Sequence, residues 1–292
     1  LDFDDIKENL KTYLKAQTTF KDYDFEGSGL NILLDTLAYN THYLAFNANM
    51  VANEMFLDSA ALRSSVVSHA KMLGYEVSSA RAPQASLNII VTTNTDTLTM
   101  PAGTKFTASI GSDSYSFVTI SDITGSGSAG QIVFNETPVY EGTYITATYT
   151  VDTSDISQRF LVTDNRADIN TLTVSVQNSI TDTTTVTYTK ATDITQLINT
   201  STVYFCQEVE AGKFEIYFGD GVVSKALVDG NIITLKYVVT NKTEANGVSS
   251  FTAPSSIGGE TAISVQTLSR AVGGAEPETI NSIKLKAPLD YA

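Results

Sequence analysis

Three groups of residues in this 292-residue chain have types and spacing that chemistry could use. Gly125-Ser126-Gly127-Ser128-Ala129-Gly130 spells G-x-G-x-x-G, the pattern that cradles a dinucleotide pyrophosphate where a strand feeds a helix N-terminus. Here Gln131-Ile132-Val133-Phe134 continues as a strand, so a flexible hairpin loop is expected and no cofactor. His42 and His69 both fall on helical stretches, with no cysteine or second histidine at ligand spacing. A zinc site needs three or four converging ligands, so hydrogen-bonded interface or surface histidines are expected and no metal. Carboxylate pairs such as Asp152 with Asp155, or Asp164 with Asp168, have the residue types that glycoside hydrolysis uses. Among 32 acidic residues such proximity arises by chance. The run from Asp164 to Asp168 also lacks the glycine and closing glutamate of a calcium loop. No catalytic residue stands out, and the chain reads as a non-enzyme.

Composition narrows the classes further. The net charge is −14 and no cluster of lysine or arginine stands out, so direct binding to a nucleic-acid backbone is not expected. No apolar run approaches the roughly 20 residues that span a bilayer, and membrane insertion is not expected either. The start, Leu1-Asp2-Phe3-Asp4-Asp5, is acidic where a signal peptide would be basic, and its leucine suggests a chain that has lost at least its first residue. The single cysteine, Cys206, excludes an internal disulfide framework and fits a reducing compartment; within Val203-Tyr204-Phe205-Cys206 it reads as a buried strand residue.

The elements that would position any site divide near Ala80. Gly27, Gly29 and Gly74 are the only glycines before it, whereas the remainder is rich in threonine, glycine and alternating apolar residues. The predicted fold class is α+β. An N-terminal helical assembly region occupies 1–80, a first β module 81–155, a second β module 156–270, and a hinge with a helix 271–292. Arg81-Ala82-Pro83-Gln84 is the expected linker.

Phe3, Ile6, Leu10, Tyr13 and Leu14 predict a first helix over about Asp4 to Gln17. After the breaker Gly27-Ser28-Gly29, a second runs from about Leu30 to about Met55, roughly 39 Å at 1.5 Å per residue. Leu30, Leu33, Leu34, Leu37, Leu44, Ala48, Val51, Ala52 and Met55 gather on one side of it, the usual stripe toward a core. Ile32, Tyr39, Tyr43, Phe46 and Met50 gather on the opposite side, and polar lines with Asp35, His42 and Asn49 separate the two. Two opposed stripes need two packing surfaces. The stripe of Ile32, Tyr39, Tyr43, Phe46 and Met50 is the candidate protein interface, although the faces could be exchanged. A third helix is expected to start at Asp58 or Ser59, to turn Leu62, Val66, Ala70 and Leu73 inward, and to stop at Gly74.

Beyond Ala80 the pattern shortens to strands, at Ser86 to Thr93, Thr97 to Met100, Tyr115 to Ile120, Gln131 to Phe134, Val139 to Val151, Thr171 to Gln177 and Thr183 to Thr189. Phe214-Glu215-Ile216-Tyr217-Phe218-Gly219-Asp220-Gly221-Val222 predicts a strand and an Asp-Gly hairpin, with a further strand over Thr234 to Thr240. Gly273-Gly274-Ala275-Glu276-Pro277-Glu278 reads as a glycine hinge, with Pro277 in the first turn of a short helix.

Several of these runs together resemble a known family. They are Phe25-Glu26-Gly27-Ser28 with Leu33-Leu34-Asp35, Ala38-Tyr39-Asn40-Thr41, Glu54-Met55-Phe56-Leu57-Asp58-Ser59-Ala60 with Leu62-Arg63, and Ser65-Val66-Val67-Ser68-His69-Ala70-Lys71. Pro101-Ala102-Gly103-Thr104, the Phe218-Gly219-Asp220-Gly221 element and Asn246-Gly247 extend the likeness. The chain is similar to the baseplate wedge proteins of T-even-type contractile phages, within the broader baseplate J-like family of contractile injection systems. The resemblance implies a structural subunit of a virion tail baseplate, assembled in the bacterial host cytoplasm. Its copies would pair with each other and, through a helical bundle, with a second wedge protein. The wedges would close into a ring around the hub, and contact with a sheath-initiating wedge component would couple baseplate rearrangement to sheath contraction. In the family the Gly-Gly-Ala-x-Pro-Glu segment leads into a further C-terminal region, so a missing or shortened one is expected here. Two other classes stay open. A receptor-binding, adhesin-like tail β protein would bind a cell surface as a stable trimer, and a tail-associated hydrolase would lose activity with one carboxylate pair.

Overall fold

A computed structural model describes residues 2–17, 29–128, 130–192, 194–210 and 212–291. Part of the expected breaker at Gly27-Ser28, the Phe25 to Ser28 run and Ala129 of the glycine motif lie outside them. The chain divides into two units, residues 1–73 and 74–292.

The first unit holds α1 (Phe3–Lys15), α2 (Gly29–Glu54) and α3 (Arg63–Met72). Asp2 accepts a hydrogen bond from the Phe3 amide at 2.6 Å, and Asp4 and Asp5 occupy the first turn, where the helix end is positive. α1 packs along α2, with Ile6 buried and Lys7 paired to Asp35. α3 starts later than expected. Neither Asp58 nor Ser59 caps it, because the Ser59 hydroxyl donates back to the Asn53 carbonyl at 2.6 Å. The Glu54 carboxylate takes the amides ahead of α3 instead, Ala61 at 2.8 Å and Leu62 at 3.3 Å. Val66, Val67 and Ala70 are buried, whereas Leu62, expected inward, is exposed beside that cap.

The second unit holds β1 (Gln84–Thr92), β2 (Thr97–Met100), β3 (Lys105–Ile110), β4 (Asp113–Val118), β5 (Ile123–Ser128), β6 (Gln131–Glu141), β7 (Thr143–Thr150), β8 (Phe160–Val162), β9 (Ala167–Gln177) and β10 (Thr185–Lys190). β11 (Val203–Glu208), β12 (Phe214–Phe218), β13 (Ile232–Val239), β14 (Phe251–Thr252), β15 (Ile263–Val272) and α4 (Ile280–Tyr291) complete it. An eight-stranded sheet runs β14-β3-β4-β6-β1-β15, with β5 joining β2 to β6. A seven-stranded sheet runs β7-β13-β9-β10-β11-β12-β8. Among the described strands, β10 and β11 are the one pair that runs parallel.

Alternation builds both cores. β1 buries Ala85, Leu87, Ile89 and Val91 on one face, where they meet Met100, Phe106, Phe117 and Phe134. In the other sheet Val174, Ile216, Ile233, Leu235 and Tyr237 pack together. The sheets do not follow chain order. β7 joins the seven-stranded sheet before β8 is reached, and β14 and β15 return to the eight-stranded one. Chain-order reading divides the modules at 155 and 270, yet each sheet draws strands from both sides of such a cut.

Buried carboxylates tie the two sheets together. Glu141, at the end of β6, accepts from the Thr240 hydroxyl at 2.7 Å, the Asn241 amide at 2.9 Å and the Asn241 side chain at 2.8 Å. Asp168 on β9 accepts from the Ala82 amide of the linker at 2.8 Å and the Asn170 amide at 2.9 Å. Burial pushes the Asp168 carboxyl above its ordinary range against those hydrogen bonds. Such groups are tolerated inside because each carboxylate oxygen accepts at least one hydrogen bond.

Gly273-Gly274 is pinned where a hinge is expected. The Asn246 side chain bonds Gly274 in both directions at 3.0 Å, and a Cβ on Gly274 would lie 2.3 Å from the Lys242 carbonyl oxygen. Pro277 also precedes α4 instead of opening it; the proline inside the helix is Pro288. Glu278 holds the start of α4, accepting from Tyr75 at 2.8 Å, the Ser78 amide at 3.2 Å and Ser282 at 2.6 Å, with Lys286 at 3.1 Å. Burial raises its carboxyl, but those donors outweigh burial and hold it below the ordinary value.

Candidate functional site

The 26 residues of α2 rise about 39 Å and bury only Leu34 and Ala38. At 100° per residue, Asn31, Leu34, Asp35, Ala38, His42 and Ala45 form the line that is covered or half-covered. That line lies between the two apolar stripes. α1 therefore docks along Leu34 and the small and polar side chains of that line, and leaves the rest of both stripes open. Ile32, Tyr39, Tyr43, Phe46 and Met50 are 41–69% exposed, and so are Leu33, Leu37, Leu44, Val51 and Met55 on the other side. The expectation that the leucine stripe faces this chain's own core is corrected: of its nine members only Leu34 is buried. The physical reason is the small Ala38 step, which lets α1 approach the polar line closely. Tyr39 and Tyr43, one turn apart, hold their rings tilted with centroids 5.4 Å apart, a preformed aromatic ledge on the second stripe.

The far end of α2 is fixed by residues that sequence periodicity does not mark. The His69 Nε2 lies 2.8 Å from the Glu54 carbonyl oxygen, while the Glu54 carboxylate caps the approach to α3. The two helices thus satisfy each other's end groups. The only sequence signal was the density of polar residues, Asn53, Glu54, Asp58 and Ser59, between two helical runs.

Comparison with known proteins supplies the chain's relatives. Residues 2–75 match the family model of the helical domain of gp6-like baseplate wedge proteins, and residues 147–248 match that of the third domain of the bacteriophage baseplate wedge protein gp6. The chain is also 30% identical, over 97% of its length, to baseplate wedge protein gp6 of Enterobacteria phage T4. The chain belongs to the gp6-like baseplate wedge proteins. It covers 46% of the T4 protein, about half the length of that curated relative. Among solved structures, the baseplate of the anti-feeding prophage matches over 98% of this chain and 50% of that one at 14% identity, with a TM-score of 0.24; at that score the likeness carries no argument about fold.

In this wedge-family chain the other candidate residues have structural partners. Most of the glycine motif is strand where a loop is expected: Gly125 to Ser128 belong to β5, paired with β2 and β6, and Ala129 lies outside the described residues. A Cβ on Gly127 would lie 2.0 Å from the Gln131 carbonyl oxygen, and one on Gly125 would lie 2.6 Å from Ile132, so the glycines permit close strand packing. The Asp220-Gly221 hairpin is absent too. β12 pairs with β11 and β8, and Asp220 folds its own loop by accepting from the Val222 and Val223 amides. Asp152 and Asp155 each accept from the serine two residues on. Asp164 pairs with Arg166 at 3.3 Å, and Asp168 is the buried tie described above. Cys206 is buried in β11, where burial lifts its thiol to about 12.

Proposed function

We propose that this chain is a structural, non-catalytic subunit of a contractile-tail baseplate wedge that assembles through both apolar faces of α2. Its copies pair with each other, and a second wedge protein completes a helical bundle; the wedges then close into a ring around the hub and pass its rearrangement to the sheath through a sheath-initiating component. The stripe of Ile32, Tyr39, Tyr43, Phe46 and Met50 is the partner-facing one in this reading, and the leucine stripe takes the other neighbour.

The observation that carries the proposal is the exposure of two opposed apolar stripes on one long helix. A helix with a single stripe is complete once packed, whereas one with two is satisfied only inside a bundle. Family membership and the T4 relative's printed name support placing that bundle in a baseplate wedge.

The test is the solution mass, by light scattering after size exclusion, of this chain alone and co-expressed with the companion wedge protein. A defined hetero-oligomer holding two copies of this chain is expected. Tyr43→Ala with Phe46→Ala should weaken its association by roughly 2 kcal/mol or more. A monomer indifferent to the companion, or normal assembly of the double variant, would overturn the proposal.

A further inference from the structure

The seven-stranded sheet has a second unusual surface at one end. Strand directions bring four loops there: 151–159 after β7, 178–184 between β9 and β10, 197–202 before β11, and 219–231 between β12 and β13. Hydrogen bonds stitch the loops to one another. The Asn231 side chain donates to the Asn178 carbonyl at 2.8 Å, the Thr153 amide to Asp229 at 3.1 Å, and the Lys225 amide to the Ser201 carbonyl at 3.0 Å.

Each of these loops presents an aliphatic side chain to solvent. Ile156 is fully exposed, Ile180 is 83% and Val222 74% exposed, and Ile198 and Val228 are exposed as well. Single exposed aliphatics are ordinary; five on the stitched loops of one sheet end are not. The loops are also held in shape. Asp152, Asp155, Asp182 and Asp220 each accept backbone amides of the next residues, at 2.9, 2.9, 3.0 and 2.9 Å. Hydrogen bonding keeps the Asp152, Asp182 and Asp220 carboxyls below their ordinary range, so these charges persist in mild acid. A rigid apolar tip loses little entropy on contact, which is what a docking surface requires.

Charge selects the occupant. The loops carry five aspartates, Asp152, Asp155, Asp182, Asp220 and Asp229, against Lys225 and Arg159, and Arg159 is engaged by Glu215 at 2.8 and 2.9 Å. A second copy presenting the same end would set aspartate against aspartate, and an anionic lipid surface would be repelled. We propose that this loop end docks a protein other than this chain, whose contact face is aliphatic at its centre and rimmed by lysine or arginine. The surface is built from residues of the second unit alone, and it rests on the wedge reading only in where the partner is sought.

The experiment places a photo-crosslinking amino acid at Ile180 in the full chain, supplied to a phage whose own copy of the gene is deleted, and illuminates the purified particles. A crosslink from position 180 to a different virion protein, on a peptide holding aliphatic residues and lysine or arginine, is expected. Ile156→Asp with Ile180→Asp should lower incorporation roughly ten-fold or more while the purified variant keeps its circular dichroism spectrum. A chain present in particles whose position 180 is uncrosslinked, or joined to another copy or to phospholipid, overturns the proposal, and so does normal incorporation of the double variant. Absence of the unsubstituted chain from particles overturns the wedge reading and this surface with it.

Discussion

The helical unit and the β unit of this chain spend their apolar residues in opposite ways. Among the described residues, the largest fully buried side chains, from Phe106 and Phe117 to Leu235 and Ile283, all lie in the β unit. In the helical unit Ile6, Leu34 and a few valines and alanines are buried, while nine large apolar side chains of α2, and Met55 and Phe56 just beyond it, stay open. The β sheets close two cores by themselves. The helices hold their apolar surface in reserve. Two units of one chain thus differ less in the number of their apolar residues than in whether the periodicity of those residues points to one face or two.

Paired truncations would break that comparison most sharply. Phe106→Ala, in the first β core, should cost the isolated chain about 3–5 kcal/mol in chemical denaturation. Leu44→Ala on α2 should change the same measurement by no more than about 0.5 kcal/mol, because Leu44 is exposed there. Equal losses would mean that α2 is already packed. Next in size, Gly274→Ala should cost about 1–3 kcal/mol, since its Cβ must push against the Lys242 carbonyl and Pro83. A thermal melt unchanged by it would mean that the turn yields freely.

The smallest effect concerns pH. The folded Glu278 carboxyl sits below its unfolded value of about 4.3. Its contribution is therefore complete above that value and is lost as pH falls through the lower folded one. Glu278→Gln should flatten the fall in melting temperature on the acid side of about pH 4.3 while leaving the slope between pH 6 and 8 as it was. An acid limb identical in the two proteins would show that the anchor of α4 does not depend on this charge.

Much of this division is legible in the sequence because periodicity survives without tertiary information. The two stripes of α2 follow from spacing alone, and so do the alternating runs of β1, β2 and β13. What spacing cannot carry is the identity of a neighbour. It assigns the leucine stripe inward, since it has no way to show that α1 would settle on the line of Leu34, Ala38 and His42. Asp220-Gly221 has the local chemistry of a tight turn, but β12 finds its partners in β11 and β8, so the turn closes a longer loop. Gly125 and Gly127 suggest slack, and their meaning is contact with Gln131 and Ile132 across the strand pair. The return of β14 and β15 to the first sheet is long-range pairing that local patterns do not encode. Ile156 and Ile180 pass unnoticed because an isolated aliphatic among serine, threonine and aspartate looks like noise until several share one end of a sheet.

The most direct measurement is hydrogen–deuterium exchange along residues 33–50 of α2, compared between the isolated chain and its complex with the companion wedge protein. A helix covered on one line only should open locally and exchange readily in the isolated chain, while the β cores stay protected. In the complex its exchange should slow by about ten-fold or more, since contacts worth about 1.4 kcal/mol lower opening by that factor. A complex that forms while α2 exchanges at the same rate would contradict the claim that its two open faces are the assembly surface.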